Sequence, residues 1–222
     1  MPGNFDLATL ILRIIAAFFA LVVHESVKAR CSTLLGDPLP KNRGLLSGNP
    51  LKYIEPIGFI LTVIFGFGWG RPTPTAPMYY KDVKKGIFIT YLTPSLVNML
   101  LGLAAALILG IFNALLPQAA PGALPAMGAT TTFSVWALYW LFRFLIIFAM
   151  INISVALFNM IPVPPLDAAK LLQSALSPNI AVKMAQNEKV LQIVLMLLIV
   201  LRIVEQVINP ISVLIVRSAM AL

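Results

Sequence analysis

Long apolar runs leave this chain few choices of backbone. LATLILRIIAAFFALVV fills residues 7–23, and further runs cover 86–116, 133–161 and 190–216. A bilayer-spanning helix needs about 20 predominantly apolar residues. Lipid satisfies no backbone N–H or C=O, so a segment at that depth must bond internally, as a helix does. Of the 222 residues, 59% are hydrophobic and 11% charged, with a mean hydropathy of +0.93. The reading is an all-α, polytopic transmembrane helix bundle, one membrane-embedded domain over 1–222, with a core at 5–172 and an apolar helical tail at 189–222.

The net charge of +8 comes from 16 basic and 8 acidic residues. In so apolar a chain it reads as an orientation signal and as contact with anionic lipid, not as a nucleic-acid surface. Lys28, Arg30, Lys41, Arg43, Lys52, Arg71, Lys81, Lys84 and Lys85 place residues 28–85 on the cytoplasmic side. Residues 117–132 carry no charge and read as an outer loop, with the N-terminus also outside. The leader 1–5 lacks the basic and small-residue marks of a cleaved signal, so the first run reads as a retained span. Asp6 is a candidate helix cap. Arg13, inside the first run, reads as snorkelling to the headgroups or facing a neighbouring helix.

Residues 53–70, YIEPIGFILTVIFGFGWG, are apolar enough to cross but are interrupted by Pro56, Gly58, Gly66 and Gly68. Basic loops flank them on both sides, so a full crossing violates the positive-inside rule. A re-entrant segment covered by other helices resolves the conflict. RPTPTAP, at 71–77, must then be extended, because closely spaced prolines exclude helix. The span at 86–116 should break at Thr93–Pro94, and its small residues suit close helix packing. The tail over 190–216, broken by Arg202, Glu205, Asn209 and Pro210, reads either as one kinked helix or as a short hairpin. Arg202 and Glu205 can pair at i, i+3.

The chemistry-bearing residues gather at the end of the first run, in AFFALVVHESVKAR. His24, the one histidine of the chain, stands beside Glu25. Ionisable residues at membrane depth are costly, which favours a functional role. A helix end whose polar groups meet the headgroups is the plainer alternative. The pattern is H-E-x-x-K, one residue from H-E-x-x-H, in which two histidines one turn apart present imidazoles to zinc and the glutamate acts as base. Lys28 stands in the second ligand's place. Farther on, the prolines of NMIPVPPLDAAK stop the run at 133–161 and deliver Asp167 to the side of the membrane where His24 lies.

Together HESVKA at 24–29, GDPLPKNRGLLSGNPLKYIEPIGF at 36–59, TPSLVN at 93–98 and FNMIPVPPLDAAK at 158–170 resemble the site-2 protease family of intramembrane zinc metalloproteases. The resemblance implies a three-helix catalytic core, with zinc held by two histidines and an aspartate and water activated by the glutamate for peptide hydrolysis within the membrane. It places His24 and Asp167 at metal positions, Glu25 at the catalytic position, and Asn98 and Asn159 along the site. Lys28 replaces the second histidine, Tyr53 stands where short bacterial relatives have a histidine, Glu55 replaces an aspartate, and LDAA replaces L-D-G-G.

Elementary chemistry bears on the departures. One histidine and one cysteine cannot build a two-histidine site. Cys31 lies about 10 Å along the helix from His24, beyond a shared metal. Deprotonating a lysine at pH 7 from a pKa near 10.4 costs about 4–5 kcal/mol. The expectation is therefore that zinc is absent or weakly bound, and that Lys28 serves as a fixed cation paired to Asp167 and Glu25. The function expected is that of a site-2 protease-like protein with lost or weakened hydrolysis, acting on transmembrane segments of other proteins as a binding or regulatory partner. It would sit in a bacterial cytoplasmic membrane with its site facing the cytoplasm. The alternatives are an active intramembrane zinc metallopeptidase and a small membrane transporter.

Overall fold

The computed structural model describes residues 6–115 and 133–221, and these form helices and loops with no strand among them. The expectations for the leader 1–5 and the loop 117–132 lie outside the described residues. In order the helices are α1 (Leu7–Leu34), α2 (Leu39–Asn42), α3 (Pro56–Phe65), α4 (Val83–Leu115), α5 (Phe133–Asn159), α6 (Asp167–Ala175), α7 (Pro178–Gln186), α8 (Glu188–Val200) and α9 (Ile203–Met220). Among the described residues α1, α4, α5 and α9 are long and apolar enough to cross a membrane. The chain is an all-α polytopic bundle and an integral membrane protein.

α1 starts where Asp6 Oδ1 accepts a hydrogen bond from Thr9 N at 2.7 Å, which satisfies one of the donors left over at a helix start. Its inner face, with Ala16, Ala20 and Leu21, packs on Ile147, Ile151 and Val155 of α5. Farther along the bundle the small residues Ala105 and Ala106 of α4 meet Ala149 and Ile153 of α5 and Val216 and Ala219 of α9. Small side chains let the helices approach closely, and that closeness replaces the hydrophobic drive that lipid cannot supply. Asn98 ties three helices together at this seam: its Nδ2 donates to Ala20 O at 3.1 Å and to Asn152 Oδ1 at 3.2 Å.

The interrupted segment does not cross. α3 has 10 residues, about 15 Å at 1.5 Å per residue, half of a hydrocarbon core about 30 Å thick. Glu55 Oε2 caps it, accepting from Gly58 N at 2.5 Å, and the chain then leaves the helix through Gly66 in the left-handed region, at φ 87°. Residues 67–70 fold back over α3. A Cβ at Gly58 would stand 2.1 Å from Trp69 O and one at Gly68 2.3 Å from Gly58 O, so only glycines permit this approach. Phe67 and Trp69 are then covered by Phe158, Leu195 and Ile199 from α5 and α8. Arg13 closes the far end, its Nη1 donating to Val63 O at 3.0 Å and Ile64 O at 2.9 Å. Those carbonyls lie beyond the last intrahelical bond of α3, from Gly66 N to Thr62 O, at the negative end of the helix dipole. Of the two readings of Arg13, facing a neighbouring helix is the one realised.

Two further expectations meet the structure differently. α4 runs unbroken through Pro94; Pro94 is buried in the bundle, where packing holds the helix course and membrane helices tolerate the lost bond. The tail resolves into two helices, because Leu201 and Arg202 form a turn in which Arg202 takes φ 59°. The Arg202 Nε to Glu205 Oε2 pair spans 3.7 Å.

Candidate active site and its ion cluster

α1 presents His24, Glu25 and Lys28 near one face, since residues three and four apart are neighbours on a helix. The fourth member arrives from the other end of the sequence. α5 ends at Asn159, a succession of tight turns follows, including Val163 N to Ile161 O at 2.8 Å and Leu166 N to Val163 O at 3.0 Å, and Asp167 opens α6. A carboxylate in the first turn of a helix is favoured by the dipole. His24, Glu25, Lys28 and Asp167 are 1%, 3%, 4% and 3% exposed, so they must satisfy one another.

They do so through short contacts. Lys28 Nζ lies 2.7 Å from Asp167 Oδ1 and 2.7 Å from Glu25 Oε1. His24 Nε2 is 2.9 Å from Asp167 Oδ2; a carboxylate only accepts, so Nε2 carries the proton and donates it. His24 Nδ1 is buried without a hydrogen-bond partner among the described residues. Burial pushes the Asp167 carboxyl up, but the Lys28 ammonium and the His24 hydrogen bond outweigh it and hold the group below its ordinary value of 3.8.

The extended segment after α3 supplies the second partner of Glu25. Thr73 N donates to Glu25 Oε2 at 2.9 Å, and Thr73 Oγ1 to Glu25 O at 3.2 Å. A Cβ on Gly70 would stand 2.7 Å from Glu25 Cγ and 2.8 Å from Tyr53 O, so that backbone lies directly on the glutamate. Tyr91 of α4 faces the ammonium, its ring centroid 6.0 Å from Lys28 Nζ, and its hydroxyl pairs with Thr75 Oγ1 at 2.7 Å.

The other residues singled out from the sequence lie around the cluster without bonding to it. Asn98 forms the seam described above. Asn159 Nδ2 donates back to Val155 O of its own helix at 2.9 Å. Tyr53 donates its hydroxyl proton to Leu45 O, and Glu55 is the cap of α3. Thr73, Gly70 and Tyr91 were not foreseen. A signal for Thr73 exists: in RPTPTAP the prolines lack N–H groups, so the backbone donors between them fall to Thr73, Thr75 and Ala76, and Ala76 N is given to Asp37 Oδ2 at 2.7 Å.

Zinc binds through lone pairs at about 2.0–2.3 Å, and an ammonium has none. Two family ligand positions, His24 and Asp167, are adjacent here, but the third place is filled by an ammonium that is paired with both carboxylates. Among the described residues no group of three or more His, Cys, Asp or Glu side chains could hold a metal ion. The donor set does not fit the zinc centre that the resemblance implies. What it forms is a closed, charge-paired cluster.

Comparison with known proteins agrees with the sequence motifs. The model of Peptidase family M50, the site-2 protease family, matches residues 7–202. A relative from Bacillus subtilis (strain 168), named "Putative zinc metalloprotease YwhC", is 27% identical over 187 residues, covering 84% of this chain and 79% of the relative. No solved structure matches.

Proposed function

The chain belongs to Peptidase family M50, and from that premise we propose that it is a member in which the metal centre has been replaced by an internal cation. It keeps the protease fold as a device for engaging transmembrane segments of other proteins, with hydrolysis lost or severely weakened. The observation that carries this reading is Lys28 Nζ at 2.7 Å from both Asp167 and Glu25. Glu25, the residue that would activate water, spends its two oxygens on the ammonium and on Thr73 N. A divalent ion brought to His24 and Asp167 would meet that ammonium as a like charge. The basic loops on residues 28–85 favour a cytoplasm-facing site, and the Bacillus relative favours a bacterial membrane.

The second reading, an active metallopeptidase with an altered ligand set, has its own support: His24, Glu25 and Asp167 are all retained and lie together. Metal analysis separates the two. Purified in detergent, the unmodified chain is expected to carry no stoichiometric zinc, whereas Lys28→His, which supplies the missing imidazole one turn from His24, is expected to gain it. Stoichiometric zinc on the unmodified chain, or its cleavage of a membrane-embedded peptide, would overturn the proposal.

A further inference from the structure

Where α1 ends and α4 begins, the two helices leave a cavity of about 520 Å³ between them, within the range of roughly 300–1,000 Å³ typical of small-molecule sites. Its walls are of two kinds. Leu34, Leu35 and Ile89 are apolar, while Lys81 and Lys85 supply positive charge at the rim. Leu34 is 87% exposed and Phe88, next to Ile89, 57% exposed, so the apolar side opens outward from the bundle. Neither lysine takes part in an ion pair or hydrogen bond of its side chain among the described residues. Asp82 lines the same cavity; its Oδ1 accepts from Lys85 N at 3.0 Å as the cap of α4, and the two lysines outnumber its single negative charge.

Position explains why both kinds of wall occur together. α1, of 28 residues, and α4, of 33, are about 42 and 50 Å long, longer than a hydrocarbon core about 30 Å thick. Each helix therefore overruns the core, and the basic residues Lys28, Arg30, Lys81, Lys84 and Lys85 mark the ends that meet here as those at the headgroup side. A free anion would use the two ammonium groups and leave the apolar walls wet. A neutral lipid would use the walls and leave the charges unpaired.

We propose that this cavity is a binding site for an anionic phospholipid, with the phosphate held by Lys81 and Lys85 and an acyl chain lying against Leu34, Leu35 and Ile89. It is separate from the ion cluster around Lys28 and does not depend on whether that cluster binds metal. The lipid would bridge the end of the helix that carries Lys28 to the start of the helix that carries Tyr91.

The test is native mass spectrometry of the full chain in a neutral detergent, titrated with phosphatidylglycerol and with phosphatidylcholine of the same acyl chains. The unmodified chain is expected to retain phosphatidylglycerol in preference. The Lys81→Gln/Lys85→Gln variant should weaken that binding about 30-fold, the effect of two charges worth about 1 kcal/mol each beside an anionic lipid. A control with Lys183→Gln/Lys189→Gln, exposed lysines away from the cavity, should bind as the unmodified chain does. Both pairs are exposed, so folding should be unaffected. Equal retention of the two lipids, an unchanged Lys81/Lys85 variant, or an equal loss in the control would overturn the proposal. Displacement of the lipid by inorganic phosphate at equal concentration would also overturn it, since the site would then be one for a free anion.

Discussion

Lys28→Met removes the one cation that two buried carboxylates share while keeping the length and most of the apolar stem of the side chain. At 2.7 Å and an effective dielectric of about 20, each contact is worth roughly 6 kcal/mol of gross Coulomb attraction. Desolvation consumes most of that in the intact protein, and breaking a buried pair from one side costs about 3–5 kcal/mol. Two acceptors are stranded here, but each keeps one donor: Thr73 N on Glu25 and His24 Nε2 on Asp167. The expected loss is therefore that of one pair, about 3–5 kcal/mol, not two. Equilibrium unfolding with sodium dodecyl sulfate in mixed micelles, followed by tryptophan fluorescence, measures it. The double variant Lys28→Met/Asp167→Asn removes a stranded charge together with the cation, so it should be more stable than the sum of the single effects by about 1–3 kcal/mol. A loss below about 1 kcal/mol for Lys28→Met, the figure for solvent-exposed pairs, together with strict additivity, would refute the claim that these charges depend on one another.

Three other outcomes follow from the same geometry. Arg13→Leu should strip the last turn of α3 of two charged hydrogen bonds, a loss of about 2–4 kcal/mol in the same titration, and should speed hydrogen exchange over residues 56–70 before the rest of the bundle. Gly70→Ala pushes a methyl group onto Glu25 Cγ and Tyr53 O; overpacking of this kind costs about 1–3 kcal/mol, and a neutral result would mean that the extended segment is not seated on the glutamate. Asp167 is held below 3.8 in the fold, so its contribution to stability is fully present above that value and lost as pH falls through the folded one; unfolding titrations should show this acid sensitivity reduced in Asp167→Asn.

The sequence carried the fold because its signals are local. Apolar runs of spanning length, the basic loops around residues 53–70 and the prolines after Asn159 each act on their own stretch of chain, and the elements up to α6 appear where they place them, whereas the run at 190–216 divides at Leu201 and Arg202. The position of His24, Glu25 and Lys28 on one helix was legible for the same reason, since helical spacing is a short-range rule. What escaped was what depends on two distant segments meeting. Arg13 reads from its neighbours either as snorkelling or as facing another helix, and only the return of α3 to within 3.0 Å of it shows which, and which carbonyls it serves. Thr73 reads as a residue in a proline-rich linker, yet it sits 48 residues from Glu25 in sequence and 2.9 Å from it in space. Pro94 reads as a helix break, because propensity knows nothing of the neighbours packed around the helix.

On the proposed reading, lysine at position 28, where the family pattern has histidine, does two things at once. It deletes a ligand, and it delivers to the same pocket a tethered positive charge that needs no assembly. A site emptied by Lys28→Ala would leave Glu25 and Asp167 as two buried carboxylates without a counter-ion, and such a protein would have to protonate one of them or admit water and ions. Lysine avoids both with a single side chain, long enough to reach Glu25 on its own helix and Asp167 on α6. The ammonium thereby joins the two ends of the core, α1 and the start of α6, as a bridging ion would, but through N–H donors alone and without a coordination position for a water molecule. Retention of His24 fits the same logic: with Lys28 serving Asp167 Oδ1, Oδ2 still requires a donor at 2.9 Å, and the imidazole supplies it. On this account the histidine is kept for the carboxylate and not for a metal. His24→Gln, whose amide can donate to the same oxygen, should therefore preserve stability, whereas His24→Leu should lose about 1–3 kcal/mol through an unsatisfied carboxylate oxygen; equal stability of the two variants would show that the hydrogen bond to Asp167 is not what holds the imidazole in place.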